Sequence, residues 1–288
     1  MDIEKLKSKK TIQELLEFGI INVDKPSGPT SFDVSEAIMK ILGLRKTSHF
    51  GTLDPKVTGV LPVALNRACK LTGFFLGEDK EYVGVMKIHG EVPLEKIEEI
   101  IKEKFLGKIM QLPPVKSRVA RVVREREVKK FDILEEQEGN FLFKTEVQGG
   151  TYIRKLIHDL GESLGTGAHM LELRRTRAGI FMEDDSHTLY ELEEAAEEYK
   201  NGKEEKLRQM IIPGEIVSEL FPVVNVKEEI VGRLLHGSPL FNNEISTKDK
   251  FKADEKICVF SNDKFIGVFK VVLEDKIFAK PEFVLQPI

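Results

Sequence analysis

Apolar positions recur along the chain with two periods, and each period predicts an element. In SFDVSEAIMKILG the residues Val34, Ile38, Ile41 and Leu42 fall on one helical stripe. Thr30 or Ser31 stands where it can cap that helix, with Asp33 well placed against the positive end of the dipole. Leu94, Ile97, Ile100 and Ile101 mark a second amphipathic helix. GGTYIRKLIHDLGESLG predicts a third, with Ile153, Leu156, Ile157, Leu160 and Leu164 on one stripe and Thr151 as its N-cap.

Between the helices the period falls to two. EYVGVMKIHG sets Val83 and Val85 opposite Tyr82 and Met86, and FLFKTEV alternates in the same way. FGIINVDKPSGPTS reads as a short buried strand ending in a Pro/Gly turn, and VLPVALNRACKLTGFF as a strand or turn running into a short helix. A basic, strand-like stretch runs from Lys116 to Lys130, and an acidic helical stretch from Glu191 to about Met210. From Phe221 the character changes to short β-type runs, with KICVF and KFIGVFKVVL joined by SNDK as a hairpin. The order predicts a mixed α/β (α+β) protein in two units, residues 11–215 and a small β-rich unit, residues 219–288, separable near Phe221.

Composition narrows the picture. With 41% hydrophobic residues in 288, the chain has enough apolar surface for large cores. No apolar run approaches the roughly 20 residues needed to cross a bilayer, and MDIEKLKSKK is not followed by a signal-type apolar segment. The expectation is a soluble, unexported, cytoplasmic protein. Cys69 and Cys258 lie far apart in apolar stretches, which predicts buried thiols, and the six histidines show no metal-ligand spacing. No metal is expected. The net charge of −4 speaks against a uniformly basic nucleic-acid binder, but the charge is segregated: EKIEEIIKEK and ELEEAAEEYKNGKEEKLRQ are acidic, while VKSRVARVVREREVKK and MLELRRTRAG are basic.

Two residues suggest chemistry. In HFGTLDPKVTGVLP, Pro55 stiffens the backbone around Asp54, and glycines stand at 51 and 59 on either side. A stiff loop presenting one acid suits catalysis, although Asp before Pro is also a common turn opener that bonds nearby amides. Arg154 falls in the first turn of its helix, where the dipole disfavours a cation by a few tenths to about 1 kcal/mol, so an anion opposite it would ease the placement. A solvated arginine is the plainer alternative.

The motifs GIINVDKPSGPTS, HFGTLDPKVTGVLPVAL, KEYVGVMKIHGEV, GGTYIRKLIHDLG and GAHMLELRRTRAG occur in this order within residues 11–185. Together they resemble the TruB/dyskerin family of RNA pseudouridine synthases, in its archaeal branch of box H/ACA ribonucleoprotein catalytic subunits. The resemblance implies a catalytic domain built on a mixed, largely antiparallel sheet with flanking helices. It also implies isomerisation of uridine in RNA without a cofactor. Asp54 matches the family's catalytic aspartate, which attacks the sugar C1′ or the uracil ring, or abstracts a sugar proton to give a glycal. Tyr82 matches the tyrosine that stacks on the flipped base near C5, and Arg154 the arginine that pairs with the aspartate. His49, Lys25, Arg174 and Arg175 fall at positions that imply RNA contact, with Lys25 in the motif packing under the active-site loop.

The C-terminal unit resembles a PUA domain, a small β-barrel that binds structured RNA. LLHGSPLFNNEIS keeps the LHG turn but lacks the Pro-Gly expected after it. The implied partners are a guide RNA, a ribosomal or transfer RNA substrate and small H/ACA proteins, with the chain monomeric in the complex and no membrane. A stand-alone enzyme acting on the T-arm of transfer RNA is the first alternative; the short connection between HGEV and QLPPVKSR argues against it. A non-catalytic RNA scaffold is the second, and would have no need of the Asp54, Tyr82 and Arg154 set.

Overall fold

The computed structural model describes residues 2–114, 119–245 and 250–286. Ten strands form the first sheet: β1 (Gly19–Lys25), β2 (Thr47–His49), β3 (Thr58–Leu65), β4 (Lys80–Ile88), β5 (Gly107–Gln111), β6 (Arg124–Gln137), β7 (Asn140–Val147), β8 (Ala168–Ala178), β9 (Phe181–Met182) and β10 (Ile211–Pro213). Their order is β10-β1-β3-β8-β4-β7-β6-β5, with β2 also on β3 and β9 on β8. Among the described residues only the β3–β8 strand pairing of this sheet is parallel, so the sheet is mixed and largely antiparallel, as expected. β4 lies near its centre and buries Lys80, Tyr82, Gly84, Met86 and Ile88 on alternate positions, which is why EYVGVMKIHG carries a period of two.

The helix Ser31–Ile41 starts with a complete capping box, Thr30 and Asp33 each bonding the other's backbone amide. The helix Ile153–Leu164 starts one residue later than expected. Its N-cap is Tyr152, because the Thr151 hydroxyl donates back to the Gln148 carbonyl at 2.7 Å and does not turn toward the helix. The acidic stretch resolves into two helices, Leu189–Lys200 and Glu205–Met210, broken at Asn201–Gly202. The basic stretch becomes a strand only from Arg124; Lys116 to Arg118 lie outside the described residues.

A second sheet holds β11 (Val223–Asn225), β12 (Leu240–Phe241), β13 (Lys256–Ser261), β14 (Lys264–Glu274) and β15 (Ile277–Val284), in the order β11-β13-β14-β15-β12. β13 and β14 form the expected hairpin, turning through Asn262 at φ 53°. The strand path is open. Its end strands have three and two residues, so the sheet is half of a barrel and not a closed one. The stretch LLHGSPLFNNEIS forms the helix Val231–Leu235 and β12, and its final Ser246 lies outside the described residues.

The two sheets are not independently packed. One apolar cluster holds Phe18, Val60, Ala64 and Phe181 together with Cys258, Phe260, Phe265 and Val268. Phe18, 0% exposed, stacks on Phe265 and on Phe283, each at 5.9 Å between centroids. The change of periodicity near Phe221 coincides with the change from one sheet to the other, and the two sheets share this apolar cluster.

Candidate active site

The Asp54 loop is held by main-chain ties on every side. Asp54-Pro55-Lys56-Val57 is a β-turn, with the Val57 amide donating to the Asp54 carbonyl at 3.0 Å and Pro55 at the position that suits its fixed φ. On one flank Ser31 exchanges two hydrogen bonds with Leu53, giving its hydroxyl to the carbonyl at 3.0 Å and accepting from the amide at 2.8 Å. The Gly28 amide donates to the Pro55 carbonyl at 2.9 Å. Leu53 and Val57, both 3% exposed, anchor the loop in the core.

Beneath it lies Lys25, 0% exposed. Its ammonium donates to the carbonyls of Pro26 at 2.8 Å, Pro55 at 3.1 Å and Val57 at 2.9 Å, three acceptors for three protons. Burial lowers the Lys25 pKa and the charge of Asp54 opposes that fall, so the cation lies within electrostatic reach of the acid. Arg175, 1% exposed, holds the loop's outer ends, its Nε donating to Val60 O at 2.7 Å and its Nη2 to Gly51 O at 3.2 Å. Gly59 must be glycine here: its φ is +99°, and a Cβ would stand 2.2 Å from the Arg175 carbonyl.

The Asp54 carboxylate, 46% exposed, does not bond the loop's own amides among the described residues; Arg154 Nη2 meets its Oδ2 at 2.8 Å. That answers the plainer readings of both residues: the backbone of Asp54 opens a turn while its side chain faces the arginine. Arg154 is the second residue of its helix. The start of that helix is held by Gln111, which no motif in the chain marks. Gln111, 2% exposed, accepts from the Tyr152 amide at 3.0 Å and donates to the Tyr152 carbonyl at 3.2 Å.

Tyr82 is 8% exposed and belongs to the same apolar cluster as Leu53 and Ile153, the residues preceding Asp54 and Arg154. It sits at a bulge between β4 and β8, where the register shifts between Glu81 and Tyr82, and it faces Arg175 across the ladder. His49 ends β2, with its Nε2 3.4 Å from the Thr52 hydroxyl.

Of the remaining residues expected at RNA, Lys25 and Arg175 are enclosed and donate to backbone carbonyls. Arg174 makes a two-pronged pair with Asp24, both bonds 3.0 Å, and a further contact to Glu183. A third enclosed cation is Lys80, 5% exposed. It donates to the carbonyls of Phe75, Leu76 and Glu78, and burial, aided by the charge of Arg175, pushes its pKa down to about 8. No group of three or more metal-ligating side chains occurs among the described residues, and no helix there is long and apolar enough to cross a membrane.

Comparison with known proteins gives three matching family models: the DKCLD (NUC011) domain over residues 8–35, the N-terminal domain of the TruB family pseudouridylate synthases over 39–104, and the C-terminal domain of tRNA pseudouridylate synthase B over 154–218. A probable tRNA pseudouridine synthase B of Archaeoglobus fulgidus is 41% identical over 93% of this chain and 83% of its own length. One of Methanopyrus kandleri is 46% identical over 81% of this chain and 69% of its own length. Among solved structures, a chain in a crystal structure of a Cbf5–Nop10–Gar1 complex superposes with a TM-score of 0.90 at 41% identity, over 98% of this chain and 89% of that one. A chain in an H/ACA ribonucleoprotein bound to a substrate RNA containing 2′-deoxyuridine gives 0.88 at 39% identity, over 98% and 89%.

Proposed function

The chain belongs to the TruB/Cbf5 family of pseudouridine synthases, and from that premise we propose that it isomerises uridine in RNA within a box H/ACA ribonucleoprotein, guided by RNA, with Asp54 as the reacting carboxylate. The observation that carries this reading is the Asp54–Arg154 contact at 2.8 Å on a loop whose backbone is tied independently of the carboxylate. An aimed carboxylate suits a reaction in which positive charge develops on a sugar. Arg154 positions it. Tyr82 supplies the face and the phenol beside the extruded base, and His49 lies beside that base. Residues 11–215 carry this chemistry, and residues 219–288 hold RNA at a distance from it.

Guide dependence is supported by the resemblance in fold to chains solved in Cbf5–Nop10–Gar1 and H/ACA assemblies, and Nop10- and Gar1-like proteins are the partners this implies. The short connection agrees: between β4 and β5 stand only the helix Leu94–Ile100 and the turn Ile101–Phe105. A second reading, unguided action on transfer RNA, is favoured by the description of the relatives as probable tRNA pseudouridine synthases B. Incubating the chain with such partner proteins and a ribosomal or transfer RNA transcript, with and without a guide, and mapping pseudouridine tests both. Product only with the guide is expected; equal product on the T-arm without it would replace the first reading by the second.

Arg154→Met separates positioning from packing. The pair is about half exposed on both sides, so its loss should cost on the order of 1 kcal/mol or less. Misaiming the acid should instead slow single-turnover pseudouridine formation roughly a hundredfold. A large fall in melting temperature with activity per folded molecule retained would make the arginine structural.

A further inference from the structure

A cleft of about 390 Å³ lies among the segments 45–46, 66–70 and 283–286, and its lining includes both cations and apolar side chains. Arg45, Lys46, Arg67 and Lys70 supply four cations, and no lining residue is acidic. Glu17, beside the cleft, is bound by Arg45 Nη2, 2.7 Å from its Oε2, and has Arg67 Nε 3.9 Å from its Oε1. Four cations against this one carboxylate leave three positive charges, in a chain whose net charge is −4. Arg67 also donates to the Gln286 carbonyl at 2.8 Å, whereas the exposed Lys46 and Lys70 form no ion pair with any described residue. The Cys69 thiol adds no negative charge, since burial pushes its pKa up to about 11.

The cations are held in place. Asn66, in the left-handed region at φ 43°, accepts the Arg45 amide at 3.1 Å and the Lys46 amide at 3.3 Å and donates to Leu16 O at 3.2 Å. Its own amide donates to Lys46 O at 2.8 Å, so the segments 45–46 and 67–70 are stapled together. Lys46 directly precedes β2, whose last residue, His49, leads into the Asp54 loop. Phe283, Val284 and Leu285, which also line the cleft, offer apolar surface of the kind that takes ribose and base alongside a phosphate.

We propose that this cleft seats the phosphodiester backbone of an RNA strand, with Lys46 and Lys70 on its phosphates and the end of β15 against its sugars. The proposal rests on the RNA-modifying reading above. The strand can come from the guide or from the substrate, which carry the same chemistry, and separate binding measurements distinguish them.

The test is Lys46→Glu/Lys70→Glu in the complete chain, measured against a guide strand alone and a substrate strand alone at several salt concentrations. Lys102→Glu/Lys104→Glu, an equal charge change at two exposed lysines of the turn Ile101–Phe105, serves as control. Affinity for at least one strand should fall about tenfold, and the slope of log K against log salt should drop by about 1 to 2 as those contacts are lost, with the control near wild type. The strand that loses affinity identifies the source. Unchanged binding of both strands, or an equal loss in the control, overturns the proposal. Should the double variant melt early, Lys70→Gln takes its place, with the same readings. If wild type makes no pseudouridine yet shows this charge-dependent binding, the catalytic reading fails and the cleft stands. If wild type is active and the variant binds unchanged, the cleft alone fails.

Discussion

Asp54→Asn is expected to reduce pseudouridine formation by about 10⁴-fold or more, the scale on which removal of a reacting nucleophile falls, while RNA affinity stays within a few-fold and the fold is kept. The three parts of that expectation come from different features. Chemistry is lost because an amide lacks the charge that answers the developing cation on the sugar. Binding is kept because the change removes a negative charge, which repels phosphate if it acts on RNA at all. The fold is kept because the loop's ties run through the carbonyls of Pro55 and Val57 to Lys25 and through both backbone groups of Leu53 to Ser31, none of them through the carboxylate. Pseudouridine mapping on a substrate RNA, binding isotherms and a melting curve check all three. Turnover well above background in a folded variant would take the reaction away from Asp54.

Removing residues 221–288 is expected to destabilise what remains and not to release an intact catalytic unit. Phe18 would lose the rings of Phe265 and Phe283, and the cluster would lose Cys258, Phe260 and Val268 in the same cut. Uncovering one large aromatic costs about 3 to 5 kcal/mol, against a total stability of about 5 to 15 kcal/mol for an ordinary domain. The fragment should be poorly soluble or melt at least roughly 10 °C below the whole chain. Equal melting temperatures for the fragment and the whole chain, with Phe18 shielded, would show that the two sheets are energetically separate.

What could be read from the sequence was local. The stripe Val34, Ile38 and the cap at Thr30 are set by neighbours within one turn, and the alternation around Tyr82 by a strand buried on one face. What escaped it was decided by distant partners. Lys25 looks like a turn lysine until Val57, 32 positions on, supplies a carbonyl, and Arg175 looks like part of a basic run until Val60, 115 positions earlier, does the same. The run MLELRRTRAG is cationic on paper, but Arg174 is neutralised by Asp24 and Glu183 and Arg177 by Glu146. The cations of the cleft come instead from two short segments with no basic run, brought together by Asn66. The energetics of a cation at a helix start asks only for some anion opposite Arg154; that the anion is Asp54 was implied by the family resemblance, not by any local pattern.

Residues 6–19 are seated on partners far along the chain, and this bears on how the molecule is made. Leu6 is buried in the cluster that also holds Phe265, Lys9 pairs with Asp263, Lys7 donates to the Gln209 carbonyl, and β1 borders β10 through Gly19 and Pro213. On a ribosome adding about 5 to 20 residues per second, this segment must wait for partners some 200 or more positions later, on the order of 10 to 50 seconds. During that interval Leu6 lacks the part of its cluster that Phe265 and Val268 supply, whereas Ile12 and Leu15 cluster with Val34 and Ile38, which follow within about 30 positions. Closing contacts between segments this far apart is a step dominated by loop-closure entropy and slow for a chain of this topology.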